Sequence, residues 1–158
     1  MERRRPQAGS RRAEERQRLA MRFSDQTPAW MTWTLRIAAL HNLGWAVFMS
    51  ALPHAWWDWL GLARPNYEFL WPGLGFFIGF LGIGYAIAST DPVTHRGLVY
   101  VGLGTKVLGF LGVLHNVYVM KIMPPAFAAS AVFPDFIWIV PLFLIARHGW
   151  TKAGKRGV

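Results

Sequence analysis

Apolar residues in this chain form four long runs, separated by short segments that contain polar and turn-forming residues. Each run has about the 20 mostly apolar residues that a helix needs to cross a hydrocarbon core of about 30 Å. The pattern predicts an all-α fold, an integral membrane four-helix up-down bundle. The predicted helices cover about 28–52, 69–89, 92–120 and 126–147.

The two ends of the chain are polar and basic, and they frame one membrane domain. We expect a partly disordered basic tail over 1–26, a transmembrane domain over 27–148 and a second basic tail over 149–158. Residues 12–23 have two interpretations, a basic amphipathic helix on anionic lipid or a solvated charged segment. Since no apolar stretch follows the first arginines, a cleaved signal peptide is not predicted.

The net charge of +9 comes from basic residues that flank the apolar runs. This placement favours a membrane surface over nucleic acid as the partner. Lys and Arg accumulate on the cytoplasmic side of membrane proteins, and here the opposite side has only Arg64 and Lys121. The bias predicts that both termini are cytoplasmic.

Small residues recur at helical spacing on the second and third predicted helices. Residues equidistant from a turn lie at the same depth in an antiparallel hairpin, and small side chains let helix backbones approach closely in lipid. We therefore expect these two stripes to pack against each other. The stripe residues are Gly75, Gly79, Gly82 and Ala86 on the second helix, and Thr105, Gly109, Gly112 and Asn116 on the third.

Several polar side chains lie at membrane depth, where an ionisable group costs roughly 2.5 to 3.5 kcal/mol. The candidates for a ligand or proton site are Asp135, His41, His115, Asn42 and Asn116. Depth along the helices places His41 near Asp135, with His115 about one turn further out. Lys106 is on the opposite helix face from His115, so we expect it to extend to the inner interface.

Asp135 is the strongest candidate because it follows Pro134, which removes a backbone donor and disrupts the helix. Disrupted backbone at membrane depth is tolerated where it is buried in protein or lines a cavity. The predicted partner of Asp135 is His41 or His115. The tryptophans of segment 54–62 are expected to lie in the headgroup region, and Trp45 and Trp71 to serve packing.

Catalytic and metal-binding motifs of soluble enzymes are missing from the sequence, and no metal site is predicted. Cysteine is absent, which excludes disulfides and thiolate chemistry. The remaining polar groups support either a non-enzymatic protein or a membrane enzyme component that moves protons.

Four segments carry a resemblance to a known group: PNYEFLW (65–71), GIGYAIASTDP (82–92), GLGTKVLGFLG (102–112) and PDFIWIVP (134–141). They resemble a group of small bacterial four-helix membrane proteins, which is loosely similar to DoxX-like proteins. The resemblance implies a fold and a membrane location and little chemistry. This chain has Pro134 where the group has Asn, and Thr105 where it has Gly.

Two functional hypotheses follow. The first is an accessory or scaffold subunit of a membrane complex, or a protein that binds a hydrophobic ligand. The second is a membrane oxidoreductase-type or isomerase-type component that uses intramembrane His and Asp residues, with a quinone, haem or pigment as its cofactor. Expected partners are the lipid bilayer, anionic lipid at the basic tail, and other membrane subunits or further copies of this chain.

Overall fold

The computed structural model describes residues 27–154, without the side chains of residues 130 and 152–154. Regular structure in this range is helical throughout, which confirms the all-α class for the described part of the chain. Residues 1–26, where the first basic tail was predicted, and residues 155–158 lie outside the described residues. The helices are α1 (Ala29–Ala51), α2 (Ala55–Trp59), α3 (Leu70–Ala88), α4 (Arg96–Leu114), α5 (Pro125–Ala131) and α6 (Ile137–Gly154).

Two π-helical turns complete the helices. The turn His115–Val119 extends α4, and the turn Val132–Phe136 joins α5 to α6 without interrupting the helical path. Pro134 lies inside the second turn, where its missing N–H disturbs the regular α-helical ladder. Single π-helical turns inside α-helices occur frequently at functional sites.

Three helical stretches are long and apolar enough to cross a membrane: Leu70–Ala88, Arg96–Val119 and Pro125–Thr151. Helix α1 has 23 residues, but Arg36 and the pair His41-Asn42 lower its hydropathy. Large apolar side chains are widely exposed on the described surface, as in Leu40 at 73% and Phe80 at 72%. Because such surface is unfavourable in water, these features indicate a membrane protein.

Two helix boundaries differ from the predicted ones. Helix α4 begins at Arg96 and not near residue 92, because Asp91 organises a turn before it. The Asp91 carboxylate accepts hydrogen bonds from the backbone N–H groups of Val93 and Thr94 and from the Thr94 hydroxyl. At the other end of the domain, α6 continues to Gly154, well beyond the predicted end at 147.

The main hydrophobic core lies near the loop that connects α3 to α4. Helices α1, α3, α4 and α6 all contribute to it, so this end of the helices is well packed. Leu35, Val99 and Leu142 have no exposed surface. The other core members are Met31, Ala38, Ala39, Tyr85, Ala88, Trp138, Ile145 and Ala146.

The glycine stripe on α3 packs against α1, and not against α4 as expected. A Cβ atom on Gly79 would be 3.0 Å from the Cβ of Ala46, and one on Gly82 would be 3.1 Å from the carbonyl oxygen of Ala39. Gly75 approaches α1 in the same way. The second stripe does not pack on α3, since a Cβ atom on Gly112 would meet nothing within 4 Å. The error arose because small-residue spacing specifies a close contact but not its partner helix.

Helices α3 and α4 contact each other near their connecting loop. The ring of Tyr85 lies directly on Gly102, and Leu98 lies 3.9 Å from the position of a Cβ atom on Gly84. Further from the loop, a cavity occupies the space between the two helices. The interface between α3 and α4 is therefore packed near the loop and opens into a cavity further from it.

Candidate ligand-binding cavity

The cavity between α3, α4 and the α5–α6 region has a volume of about 560 Å³. This lies within the range of roughly 300–1,000 Å³ that is typical of small-molecule sites. Its walls are almost entirely aliphatic and aromatic, and they include Trp45, Trp56 and Trp71. The exceptions are the hydroxyl of Thr105 and one pair of charged side chains, Lys106 and Asp135.

Lys106 and Asp135 form an ion pair that lines this cavity. The Lys106 Nζ donates to the Asp135 Oδ1 at 3.1 Å and to the backbone carbonyl oxygen of Pro134 at 2.8 Å. The Lys106 side chain is 6% exposed and that of Asp135 is 24% exposed. The pair is therefore held mostly out of solvent, where each charge depends on its partner.

The local sequence around Pro134 explains how this pair is made. The proline lies in the π-helical turn immediately before Asp135, so its carbonyl and the Asp135 carboxylate reach the same ammonium group. Gly109, one turn after Lys106 on α4, has no side chain to separate the carboxylate from the helix. A Cβ atom on Gly109 would lie 3.5 Å from the Asp135 Oδ2.

The expectation that Lys106 extends to the inner interface is wrong. Lys106 is buried and bonded to Asp135, whereas His115 is exposed. The helical-wheel argument had separated Lys106 and His115 correctly onto different faces, but it assigned the interior face to His115. Depth along the helices favoured a histidine as the partner of Asp135. Depth alone does not show that the long aliphatic stem of Lys106 brings its ammonium group to the carboxylate.

His41 connects α1 to the last helix through indole groups. The Trp45 Nε1 lies 3.1 Å from its Nε2, and the Trp138 Nε1 lies 3.2 Å from its Nδ1. The rings of Trp138 and Phe133 also contact it, with centroids 5.2 and 5.4 Å away. An indole only donates, and a neutral imidazole has one acceptor nitrogen, so His41 accepts from one tryptophan at a time. An imidazolium would present N–H groups to both.

The other predicted polar residues have local contacts. Asn42 is 1% exposed and packs against Gly82 in the α1–α3 contact. The Asn116 side chain donates to the Gly112 carbonyl on its own helix at 3.0 Å. The Thr105 hydroxyl likewise donates to the Val101 or Gly102 carbonyl. Ala86 is exposed. Local hydrogen bonds thus satisfy Asn116 and Thr105, whereas the buried amide of Asn42 has no hydrogen-bond partner among the described residues.

A group of aromatic side chains, Trp56, Trp57, Trp71 and Phe127, lies at the end of the cavity away from the α3–α4 loop. The Trp57 ring is 5.2 Å from that of Trp71 and stacks at 5.7 Å on Phe127. Trp56 and Trp57 are 8% and 7% exposed, against 75% for Trp59. The interfacial position predicted for the segment thus fits Trp59, and the other two tryptophans point inward. The burial of adjacent tryptophans depends on how the short helix α2 docks, which periodicity over five residues cannot reveal.

One side of the cavity is bordered by exposed apolar residues. Phe77 on α3 and Leu108 on α4 both line it, and they are 72% and 71% exposed. In a helix pair that crosses a bilayer, these side chains face hydrocarbon. The cavity is therefore bordered on this side by exposed apolar surface.

No protein-family model matches the sequence, and neither a curated protein nor a solved structure matches it at a significant level. The function must therefore be argued from the site.

Proposed function

We propose that this chain is an integral membrane protein that binds an amphiphilic small molecule in the cavity. The apolar part of the ligand packs among the tryptophans and aliphatic side chains, and its polar head lies at Lys106 and Asp135. The observation that carries the proposal is the presence of one charged pair in the wall of an otherwise apolar cavity. Pockets with this composition, apolar with a few convergent polar groups, are typical of small-molecule sites.

An ion pair in the wall of an apolar cavity carries an energetic cost. Taking two charges out of water is costly, and well-packed apolar residues of similar size often stabilise a protein as well or better. Stability alone therefore gives little reason to place Lys106 and Asp135 beside a cavity. Ionisable residues within membrane segments mark ligand or ion pathways by default, and here they converge on a volume large enough for a ligand.

The ligand reaches the cavity from the bilayer in this proposal. Phe77 and Leu108 border the opening and would repel a water-soluble molecule, whereas a lipid-soluble one passes between them at no desolvation cost. A molecule dissolved in the membrane also has a high local concentration, so modest affinity is sufficient.

The proposal includes the membrane arrangement. Helix α1 is the fourth span beside the three apolar stretches, and both termini are cytoplasmic. Support comes from its 23-residue length and its close packing on α3. The arginines that precede α1 support this orientation, and the resemblance supports a bacterial inner membrane.

Ligand binding is favoured over proton transfer by the surroundings of His41. Both of its ring nitrogens face indole N–H groups, so a proton gained by His41 would remove the hydrogen bond that it accepts, either from Trp45 within α1 or from Trp138 on α6. We assign His41 to holding these helices together. In the oxidoreductase or isomerase alternative, the proton carrier beside the cavity would be Lys106 or Asp135 and not His41.

Binding is tested with an amphiphile whose chain carries bromine atoms, which quench nearby indole fluorescence. The purified protein in mild detergent is titrated with 9,10-dibromostearyl alcohol, because Trp45, Trp56 and Trp71 line the cavity. We expect saturable quenching of part of the tryptophan fluorescence. Gly109→Leu should abolish the saturable component, since its Cβ has ordinary contact distances and its isobutyl group enters the cavity.

Gly112→Leu is the matched control on the same helix. Gly112 has open space at its Cβ position and does not line the cavity. Quenching that is equal in the wild type, Gly109→Leu and Gly112→Leu would show that the probe senses only detergent or lipid around the protein, and would refute binding in the cavity.

A further inference from the structure

We infer that the head group of the ligand is uncharged and bears a hydroxyl or carbonyl group. This inference rests on the proposed function, because it concerns the polar end of the same cavity. Its basis is that the charges in the cavity wall already balance and that the hydrogen-bonding positions left over are those of a neutral polar group.

The charge balance follows from the residues that line the cavity. One cation, Lys106, and one anion, Asp135, are in contact at 3.1 Å, and the remaining lining residues carry no charge. A charged head would therefore add an uncompensated charge among tryptophan, leucine and phenylalanine side chains, where an isolated ion is strongly destabilised. To be compensated, the charged head would have to pair with Lys106 or Asp135. The other member of the ion pair would then be left without a partner.

The hydrogen-bonding positions left by the pair have a definite character. A lysine ammonium has three N–H donors, and two are directed to the Pro134 carbonyl and the Asp135 Oδ1. One donor remains. The Asp135 Oδ2 lies on the Gly109 side, and none of the described side chains donates a hydrogen bond to it. The pair thus offers one donor and one acceptor.

A hydroxyl satisfies both positions, since it accepts from Lys106 and donates to Asp135. A carbonyl oxygen accepts from Lys106 but cannot donate to Asp135. Gly109 permits the approach, because the side of the carboxylate that faces α4 is not covered by a side chain. By contrast, a sulfate ester cannot donate to the Asp135 Oδ2 and would be repelled by it, and a quaternary ammonium cannot accept from Lys106.

The test is a series of probes that share the 9,10-dibromostearyl chain and differ only at the head: the alcohol, the methyl ester of the acid, the alkyl sulfate and the trimethylammonium. Quenching titrations are run with the wild-type protein in the same detergent. We expect the alcohol, and after it the ester, to saturate at a concentration about tenfold or more below that of either charged probe. Equal or tighter binding of the sulfate or the trimethylammonium would overturn the inference.

Two single substitutions should reverse the preference of the cavity for uncharged head groups. Asp135→Asn leaves the Lys106 ammonium uncompensated, so this variant should bind the sulfate better than the alcohol. Lys106→Met leaves the carboxylate and should favour the trimethylammonium. Loss of a merely structural contact would weaken all four probes together and could not exchange their order. Asp58→Asn, in the exposed Asp58–Arg64 pair, is the control and should keep the wild-type order.

The outcomes separate this inference from the proposed function. If no probe gives quenching that Gly109→Leu removes, the cavity does not bind amphiphiles and the proposed function fails. If all four probes give quenching that Gly109→Leu removes, with no preference for the uncharged heads, the cavity binds amphiphiles and only the head-group inference fails. Should either charge variant fail to fold, the order of the four probes on the wild-type protein decides the question.

Discussion

Removal of both charges of the Lys106–Asp135 pair should destabilise the protein no more than removal of the Asp135 charge alone. Asp135→Asn retains an acceptor oxygen but leaves an ammonium group that is 94% covered, since the Lys106 side chain is only 6% exposed. Breaking a buried pair in this way costs about 3 to 5 kcal/mol. Lys106→Met strands a carboxylate that is 24% exposed and partly solvated, so we place its cost lower, at about 2 to 3 kcal/mol.

The double variant Lys106→Met/Asp135→Asn has no charge in the cavity wall. Its cost should not exceed that of Asp135→Asn alone, because each substitution removes the charge that the other one strands. The coupling between the two sites is then at least the cost of Lys106→Met, about 2 to 3 kcal/mol, at the upper end of what residues in direct contact show. Independent sites would instead give costs that add.

The assay is equilibrium unfolding of the purified variants in mixed micelles, followed by tryptophan fluorescence. The exposed pair of Arg64 and Asp58 serves as the control. It has two hydrogen bonds, at 3.0 and 3.2 Å, and side chains about half exposed at 49% and 54%. Its double-mutant cycle should give much weaker coupling, because solvent screens an exposed ion pair. Additive costs at Lys106 and Asp135, or coupling no larger than in this control, would refute the view that each charge of the pair is stabilised mainly by the other.

Three further predictions concern packing, topology and pH. Gly79→Leu should lower the free energy of unfolding by about 1 to 3 kcal/mol and Gly112→Leu by much less, because a Cβ at Gly79 would be 3.0 Å from α1 whereas the space at Gly112 is open; equal melting temperatures in detergent would contradict this. In intact cells, an impermeant thiol reagent should label a cysteine at Ile122 and not one at Thr90, and labelling at Thr90 without lysis would disprove the proposed orientation. Burial raises the pKa of Asp91, but hydrogen bonds from the Thr94 hydroxyl and from backbone N–H groups outweigh it and leave the pKa below its ordinary value. Its contribution to stability is therefore present above the pKa of the unfolded chain and is lost as the pH falls through the lower folded value, and Asp91→Asn should remove that part of the acid sensitivity of unfolding.

Hydrophobic periodicity and charge determined the class of this protein by themselves. Runs of about 20 apolar residues have no stable arrangement except helices in an apolar medium, because each backbone N–H and carbonyl must be satisfied within its own segment. The helix bounds of α3 followed within a residue or so, whereas the start of α4 and the end of α6 depended on local capping and continuation. Asp135 was also identifiable from sequence, since an aspartate after a proline at membrane depth requires a special environment.

Partner choice was decided only by the tertiary structure. Small-residue spacing predicts that a helix face is closely packed, but Gly79 meets Ala46 on α1 and not α4, because rotation of a helix about its axis depends on all of its neighbours together. The same limit applies to Lys106, which was expected at the inner interface and instead bonds to Asp135. Depth along a helix is readable from sequence at 1.5 Å per residue, whereas the direction in which a face points is not. The cavity depends on both, and so its walls, its tryptophans and its single ion pair emerge only when the helices are assembled.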